Sequence, residues 1–399
     1  MSAENAPLDG LTVLDFTRVL SGPYCTMLLA DMGARVIKVE QPGGGDDTRT
    51  WGPPFINGES AYFLSINRNK ESLTLDLKHP SARRVLDPLL QQAGVLVENF
   101  RPGTMERLGL NYEALAPGFP SLVFCSISGF GQTGPRRQEP GYDAVIQGEA
   151  GLMSITGAAG GPPFRLGVAI ADIVSGMFAA QGIAMALLAR ARTGRGQRVD
   201  VGMLDATVAL LTYQAGIYFA TGTTPGRMGN RHPTIVPYET FPASDGEFVV
   251  AVGNDEQWRR FCGMLDAPAL AADQRFASNS GRVNHYEELR PLLVERLRLR
   301  RRNEWVADLK QAGVPCGTVR EVSEALEDPH LDARGMIETV NHISAGALRV
   351  LGVPIKLSDT PGAVRTAPPA LGQHTEQILQ EDAGLSRDEI EMLRSSGAV

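Results

Sequence analysis

The stretch Leu11–Glu40, LTVLDFTRVLSGPYCTMLLADMGARVIKVE, decides the fold. Leu11–Phe16 is an apolar run that reads as a buried strand. Thr17–Pro23 is a loop, Tyr24–Gly33 a short apolar helix, and Ala34–Glu40 a second strand. Strand, crossover helix and strand make a parallel βαβ unit, as in nucleotide-binding α/β folds. The loop after the first strand lacks GxGxxG, so a dinucleotide is not indicated.

Working outward, Gln41–Trp51 (QPGGGDDTRTW) carries three consecutive glycines. Such a loop could cradle phosphate, but no Gly-Lys-Ser/Thr follows, and a flexible connection explains it as well. Ser72–Lys78, Gly94–Phe100 and Ser121–Phe130 read as further strands, with a helix from Pro80 to about Ala93. In open α/β sheets, ligands lie at the carboxyl ends of the strands. Those ends collect Arg18, Val19, Ser21, Gln41, Lys78, Asn99, Phe100 and Arg107. The set offers cations for phosphates and an aromatic face for a base. Each cation alone is most simply a solvated surface charge. Their repeated placement at strand ends is what points to a ligand.

Further on, Ile173–Ala191 reads as a long apolar helix, Gln197–Met203 as a strand and Leu204–Phe219 as an apolar helix. From about Thr221 the chain turns Gly- and Pro-rich. Gly246–Gly253 and Gly313–Val319 are short strands, and the charged helical run Arg282–Leu309 is most simply a solvated face. The expected division is a large Rossmann-like domain at 1–224, a small α/β domain at 225–330, and a segment 331–399 that returns to the large domain.

The 399 residues suffice for two domains, and a net charge of −7 argues against nucleic acid or an anionic membrane as partner. The four cysteines form no CxxC pair, and the six histidines no ligand-like pair, so no metal site is indicated. His232 is the histidine most plausibly near a site, though a structural hydrogen bond explains it equally well. The amino terminus, MSAENAPLDG, has no apolar signal core, and no apolar run approaches membrane-spanning length. The chain therefore reads as cytoplasmic.

No GxSxG, HExxH or P-loop is present. One residue stands out within Gly141–Gly176: Asp172, a lone carboxylate between apolar VAIA and Ile-Val-Ser-Gly. It has two readings. As a helix N-cap it would accept backbone N–H bonds. As a desolvated nucleophile it would attack a thioester carbonyl to give a mixed anhydride, with small neighbours such as Gly167, Ser175 and Gly176 leaving room.

At these residues the sequence resembles the class III CoA-transferases, the formyl-CoA transferase and CaiB/BaiF family. The matching stretches include LDFTRVLSGP, ARVIKVEQPGGGD, NRNKESLTLDLK, VENFRPGTMERLG, SGFGQTGP, PGYD, TGRGQRVDV, GNRHPTIVPY and PPALGQHT. The resemblance implies that Asp172 is the nucleophile. It places CoA contacts on Val19, Leu20, Ser21, Gln41, Leu75, Lys78, Asn99, Phe100, Arg107, Leu108 and the segment from Glu139 to Tyr142. It implies an α/β fold, with a Rossmann-like large domain, a smaller α/β domain and two interlocked subunits. It also implies an acyl-CoA thioester and a small carboxylic acid as substrates, with no permanently bound cofactor. Gln41 stands where some relatives carry arginine, and Pro140 where some carry lysine; both changes bear on phosphate contact. The glycine-rich flap of formyl-CoA transferase is not evident, and Val252–Asp255 occupies its region.

The family also contains α-methylacyl-CoA racemases, which carry histidine where Tyr142 stands here. A phenol is a poor base at neutral pH, so Tyr142-Asp143 favours transfer over racemisation. A CoA-binding protein without catalysis is the remaining alternative, against which the intact Asp172 argues. RVLSGP, GGGDDTRTWGPPF, SINRNK and SISGFGQTGP most resemble members that use succinyl-CoA. The expected donor is succinyl-CoA, and the acceptor a short dicarboxylate or a 3-sulfinopropionate-like acid. Arg18, Arg165, Arg231, Tyr142 and Tyr238 are candidates for the acceptor's second acid group.

Overall fold

The structure is a computed structural model that describes residues 6–399. Residues 1–5, part of the stretch read as lacking a signal core, lie outside the described residues. The chain divides into two units. The first comprises Met1–Leu152, Leu166–Ala215 and Pro329–Val399; the second comprises Met153–Arg165 and Gly216–Asp328.

Six strands make the main sheet of the first unit: β1 (Thr12–Asp15), β2 (Arg35–Glu40), β3 (Lys70–Thr74), β4 (Ala93–Glu98), β5 (Val123–Ser128) and β6 (Arg198–Gly202). They form one all-parallel sheet in the order β3-β2-β1-β4-β5-β6. The central strands β1, β4 and β5 are buried on both faces, as a sheet covered on both sides requires. Alternate side chains feed two cores. Leu14, Ile37, Leu73, Leu96 and Phe124 join the helix α2 (Ala82–Gln92) and the terminal helices α11 (Thr375–Glu381) and α12 (Arg387–Ser395). Val13, Val36, Val95, Val97 and Cys125 join α1 (Ser21–Asp31) and α5 (Ile170–Thr193).

The returning segment is stitched to β3 by polar contacts. The Asn69 side chain donates to Ala363 O at 2.8 Å and accepts the N–H groups of Arg365 and Thr366. Ser72 N–H donates to His374 Nδ1, and Thr74 N–H to Thr375 Oγ1.

Helix α5 has 24 residues and a mean hydropathy of 1.6 over its most apolar window. By length and composition it could cross a membrane, contrary to the expectation that no apolar run approaches that length. Here its inner side is packed against α1, β5 and β6.

In the second unit, β7 (Tyr238–Pro242), β8 (Glu247–Ala251) and β9 (Cys316–Thr318) form an antiparallel sheet in the order β9-β8-β7. Its core holds Phe241, Phe248, Trp258, Phe261, Leu289 and Trp305, with the helices α8 (Asp255–Met264), α9 (Tyr286–Leu297) and α10 (Arg302–Gln311).

Several expectations need correction. The strand expected at Ser72–Lys78 runs Lys70–Thr74, because Lys70 is buried against Asp15 and belongs to the sheet. The helix expected over Leu204–Phe219 is broken into α6 (Met203–Val208) and α7 (Thr212–Thr221), with Thr212 at φ +36° between them. Residues 153–165 and 216–224 fall in the second unit rather than within 1–224. Arg227 ties residues 153–165 to the second unit by donating to Gly161 O and Ser154 O. Arg282, placed on a solvated face from sequence, is fully buried; it donates to Val236 O and Phe276 O and pairs with Asp255.

Breaking a buried, multiply bonded arginine leaves several acceptors unmet. Arg282→Ala is expected to destabilise the second unit by about 3 kcal/mol. The check is a lowered urea midpoint by tryptophan fluorescence, since Trp258 and Trp305 lie in that core.

Candidate active site

The strand order reverses between β1 and β4, and the crevice at such a switch point is where open α/β sheets bind ligands. The loop leaving β1 leads into α1. The loop leaving β4 carries Asn99 and Phe100 toward the helix α3 (Thr104–Arg107). Asn99 clamps the first loop, accepting Arg18 N–H at 2.9 Å and donating to Arg18 O at 2.7 Å.

Asp172 lies in the first turn of α5, whose N-cap residue is Ala169. The capping reading of Asp172 is answered by a neighbour. Asp143, at the start of α4 (Asp143–Glu149), accepts Ala171 N–H at 2.9 Å and so caps α5 across 28 residues of chain. The Asp172 carboxylate instead faces the start of α1 and shares a cavity wall with Ser21, whose hydroxyl and backbone N–H favour its ionised form. Gly176, one turn on, makes this reach possible. A β-carbon there would lie 2.5 Å from Ser21 O and 3.2 Å from Cys25 N, so only glycine lets the two helices approach this closely.

Burial raises the Asp172 pKa to about 7, the nearby Asp143 charge adds to the rise, and the two Ser21 hydrogen bonds oppose it. A carboxylate near half-ionised at neutral pH and stripped of water is suited to nucleophilic attack. Tyr62, on the short helix Ala61–Ile66, faces the same charges. Burial, then Asp172, Asp143 and Asp46, push its phenol up to about 12.

A cavity of about 320 Å³ is lined by Asp172 together with Val19, Ser21, Asn99, Tyr142 and Ser128. A second cavity of about 240 Å³ is lined by Gln41, Leu75, Lys78 and Leu108. Arg18 and Phe100 line both, with the guanidinium 5.5 Å from the ring centroid. Two expected contacts line neither. Leu20 packs in a small apolar cluster with Met27 and Ile66, and Arg107 donates to Thr104 Oγ1 on its own helix. Arg165, Arg231 and Tyr238 belong to the second unit and also line neither cavity. Arg231 lies 3.4 Å over the Tyr286 ring, and the Tyr238 ring is 5.2 Å from His232. A further cavity, about 960 Å³, opens at the opposite, amino ends of β2 and β3 and contains no member of this site.

Sequence reasoning missed Asp143, Tyr62 and Ser128. The Ser128 Oγ is buried in the wall of the Asp172 cavity with no hydrogen-bond partner among the described residues. Its position at the end of an apolar strand was the available signal, since buried hydroxyls are normally paired.

A family model described as CoA-transferase family III matches residues 8–375. The succinate–glutarate CoA-transferase of Agrobacterium fabrum is 42% identical over 388 residues, 96% of this chain and 97% of the relative. The acetyl-CoA:oxalate CoA-transferase of Acetobacter aceti is 44% identical over 353 residues, 88% of this chain and 89% of the relative. A crystal structure of a CAIB/BAIF family protein from Brucella suis superposes with a TM-score of 0.84 at 43% identity, covering 94% of this chain and 99% of that one.

A carboxyl whose pKa is raised on folding favours the folded state below its unfolded pKa, and that advantage is lost as pH rises through the folded value. Ionised Asp172 therefore costs stability above about pH 7. Asp172→Asn is expected to raise the melting temperature more at pH 8 than at pH 5, measured by thermal shift. Asp143→Asn removes the like charge and is expected to lower the pH at which this difference develops.

Proposed function

Because the chain belongs to CoA-transferase family III and is a CoA-transferase, we propose that it carries CoA from succinyl-CoA to a short dicarboxylate through intermediates on Asp172. The observation that carries this reading is the desolvated Asp172 carboxylate, held by Ser21 in the wall of a cavity.

The Asp172 carboxylate attacks the succinyl-CoA carbonyl; the C–S bond breaks and CoA thiolate leaves, giving a mixed anhydride. The thiolate then attacks the aspartyl carbonyl and expels succinate, leaving an aspartyl-CoA thioester. The acceptor carboxylate attacks that thioester, forming a second anhydride and releasing thiolate again. Thiolate attack on the acceptor's acyl carbon yields the new thioester and restores the Asp172 carboxylate. The overall cycle exchanges one CoA thioester for another of similar energy, so it balances without ATP; what it requires is exclusion of water from the higher-energy anhydride.

The CoA moiety fits the pair of cavities that share Arg18 and Phe100. The Phe100 ring offers a face for adenine, and Lys78 and Arg18 offer charge for phosphates. Glutarate is the acceptor in the name of the Agrobacterium relative, and a 3-sulfinopropionate-like acid presents the same pair of anionic ends. Arg18 and Tyr142 line the Asp172 cavity and are assigned to the acceptor's second acid group.

Incubation with succinyl-CoA alone is expected to leave a CoA or succinyl mass on the Asp172 peptide, absent in Asp172→Asn. Glutarate and other dicarboxylates are then expected to discharge it. Absence of an adduct, with α-proton exchange on a 2-methylacyl-CoA in deuterated water, would replace this reading with racemisation. Tight CoA binding with neither reaction would leave a binding protein.

We also infer a homodimer, interlocked as the family resemblance implies. Met177, Phe178, Met185 and Leu188 on α5 are exposed, as are Val208 and Tyr213 after β6. An apolar face of this extent calls for cover. Light scattering is expected to give twice the 42.8 kDa chain mass. The double substitution Met185→Lys with Leu188→Lys is expected to lower it toward the monomer.

A further inference from the structure

The loop from Thr17 to Ser21 is fixed residue by residue by groups that take no part in the chemistry above. Thr17 N–H donates to Asp15 Oδ1 at 2.9 Å, and Thr17 O accepts from Lys38 Nζ at 2.7 Å. Arg18 is clamped through both its N–H and its carbonyl by Asn99. Val19 N–H donates to the Asp46 carboxylate, 3.2 Å from either oxygen. Asp46 in turn pairs with Lys38 at 2.9 Å, and both side chains are at most 1% exposed. Asp46 also accepts the N–H and hydroxyl of Thr48, which fixes its orientation.

Val19 adopts φ +69°. For a β-branched residue this left-handed conformation is strained, and such strain persists only where the surroundings impose it. A glycine here would relieve it. The valine side chain, however, packs on the Leu20, Met27 and Ile66 cluster that Tyr62, Ala169 and Ile173 also join, which gives a reason for keeping it. Two residues on, Ser21 faces Asp172 in one cavity, and its hydroxyl and backbone N–H favour the ionised carboxylate.

We propose that the buried Lys38–Asp46 pair is a positioning device for the reaction centre. It holds Val19 in the left-handed turn and thereby aims the Ser21 hydroxyl and backbone N–H at Asp172. Lys38 and Asp46 are positioning residues; neither lines the cavity that holds Asp172, and both border the neighbouring one, so the titration is read without CoA. The proposal rests on Asp172 being the nucleophile. A buried ion pair is a poor source of net stability, because desolvation offsets the attraction, so a role in shape suits it better. The titratable groups facing Asp172 are Asp143 from α4 and Tyr62 from the Ala61–Ile66 helix, and both stay in place in the test.

The test is a cycle of Asp46→Ala and Val19→Gly, each made with and without Asp172→Asn. The titration of Asp172 is read, without substrate, from the pH dependence of the thermal shift between each variant and its Asp172→Asn counterpart. Losing the Ser21 bonds to the charged form is expected to raise the midpoint by about one pH unit. That leaves roughly fivefold less carboxylate at pH 7, and the rate of adduct formation from succinyl-CoA is expected to fall at least as far. Adding Val19→Gly, which reaches the left-handed turn without strain, is expected to return the midpoint of Asp46→Ala to within a few tenths of a pH unit of Val19→Gly alone.

An unmoved midpoint in Asp46→Ala, or a rise that Val19→Gly leaves unchanged, would overturn the proposal and make the pair merely structural. If Asp46→Ala does not fold, Asp46→Asn replaces it, with a smaller rise and the same suppression expected. Failure of wild type to form any adduct would count against the nucleophile, and the substrate-free titration separates that result from failure of the positioning device.

Discussion

The backbones of α1 and α5 meet at Gly176, where a β-carbon would lie 2.5 Å from the Ser21 carbonyl oxygen. The rest of the site follows from that approach. It places the free N–H at the start of α1 against a carboxylate in the first turn of α5, so two helix beginnings share one acid. It also removes water from that acid, which lifts its proton affinity to neutrality. The capping duty that Asp172 would otherwise perform passes to Asp143, whose charge adds to the lift.

Beneath this centre the first unit buries an unusual amount of charge. Asp15 and Lys70 are both fully buried, and Asp31 and Glu40 are paired with Arg68 and Arg49. Burial works against ionisation at each. Yet Lys70 and Lys38, with the hydroxyls of Thr17 and Thr26, bring Asp15 down to about 2. Lys38 stays charged against burial because Asp46, Asp15 and Glu40 surround it. Such networks are costly unless every lone pair and proton is matched. Here the matches run into backbone groups of the β1 loop and of the returning carboxyl-terminal segment.

Much of this was legible in the amino-acid order. The apolar runs gave the strands of the parallel sheet to within a few residues, because both faces of each strand are covered and no alternation obscures them. Asp172 stood out because a lone carboxylate in an apolar segment has few inexpensive roles. What the sequence did not disclose are relations made by tertiary contact. Asp143 capping a helix 28 positions away has no local signature. Lys38 in RVIKVE reads as the polar member of a strand, and only the buried Asp46 opposite makes it an internal cation. Thr212, which breaks an apolar run that would otherwise continue as helix, is held at φ +36°, a conformation no propensity favours for threonine. Arg282 looked solvated because its acceptor Val236 O lies 46 residues away, and a charge-rich helical run gives no sign that the chain folds back over it.

The discontinuity of the first unit has a consequence for biosynthesis. Its opening strands leave the ribosome long before Pro329–Val399 exists, separated by the whole second unit. At the usual pace of translation that interval is on the order of ten seconds. Throughout it, β3 lacks the partners that Thr366, His374 and Thr375 supply, and one face of the sheet lacks α11 and α12. The nascent chain therefore exposes an apolar sheet face that only its own last segment can cover. A chain cut short before Pro329 therefore keeps that face open to chaperones and proteases.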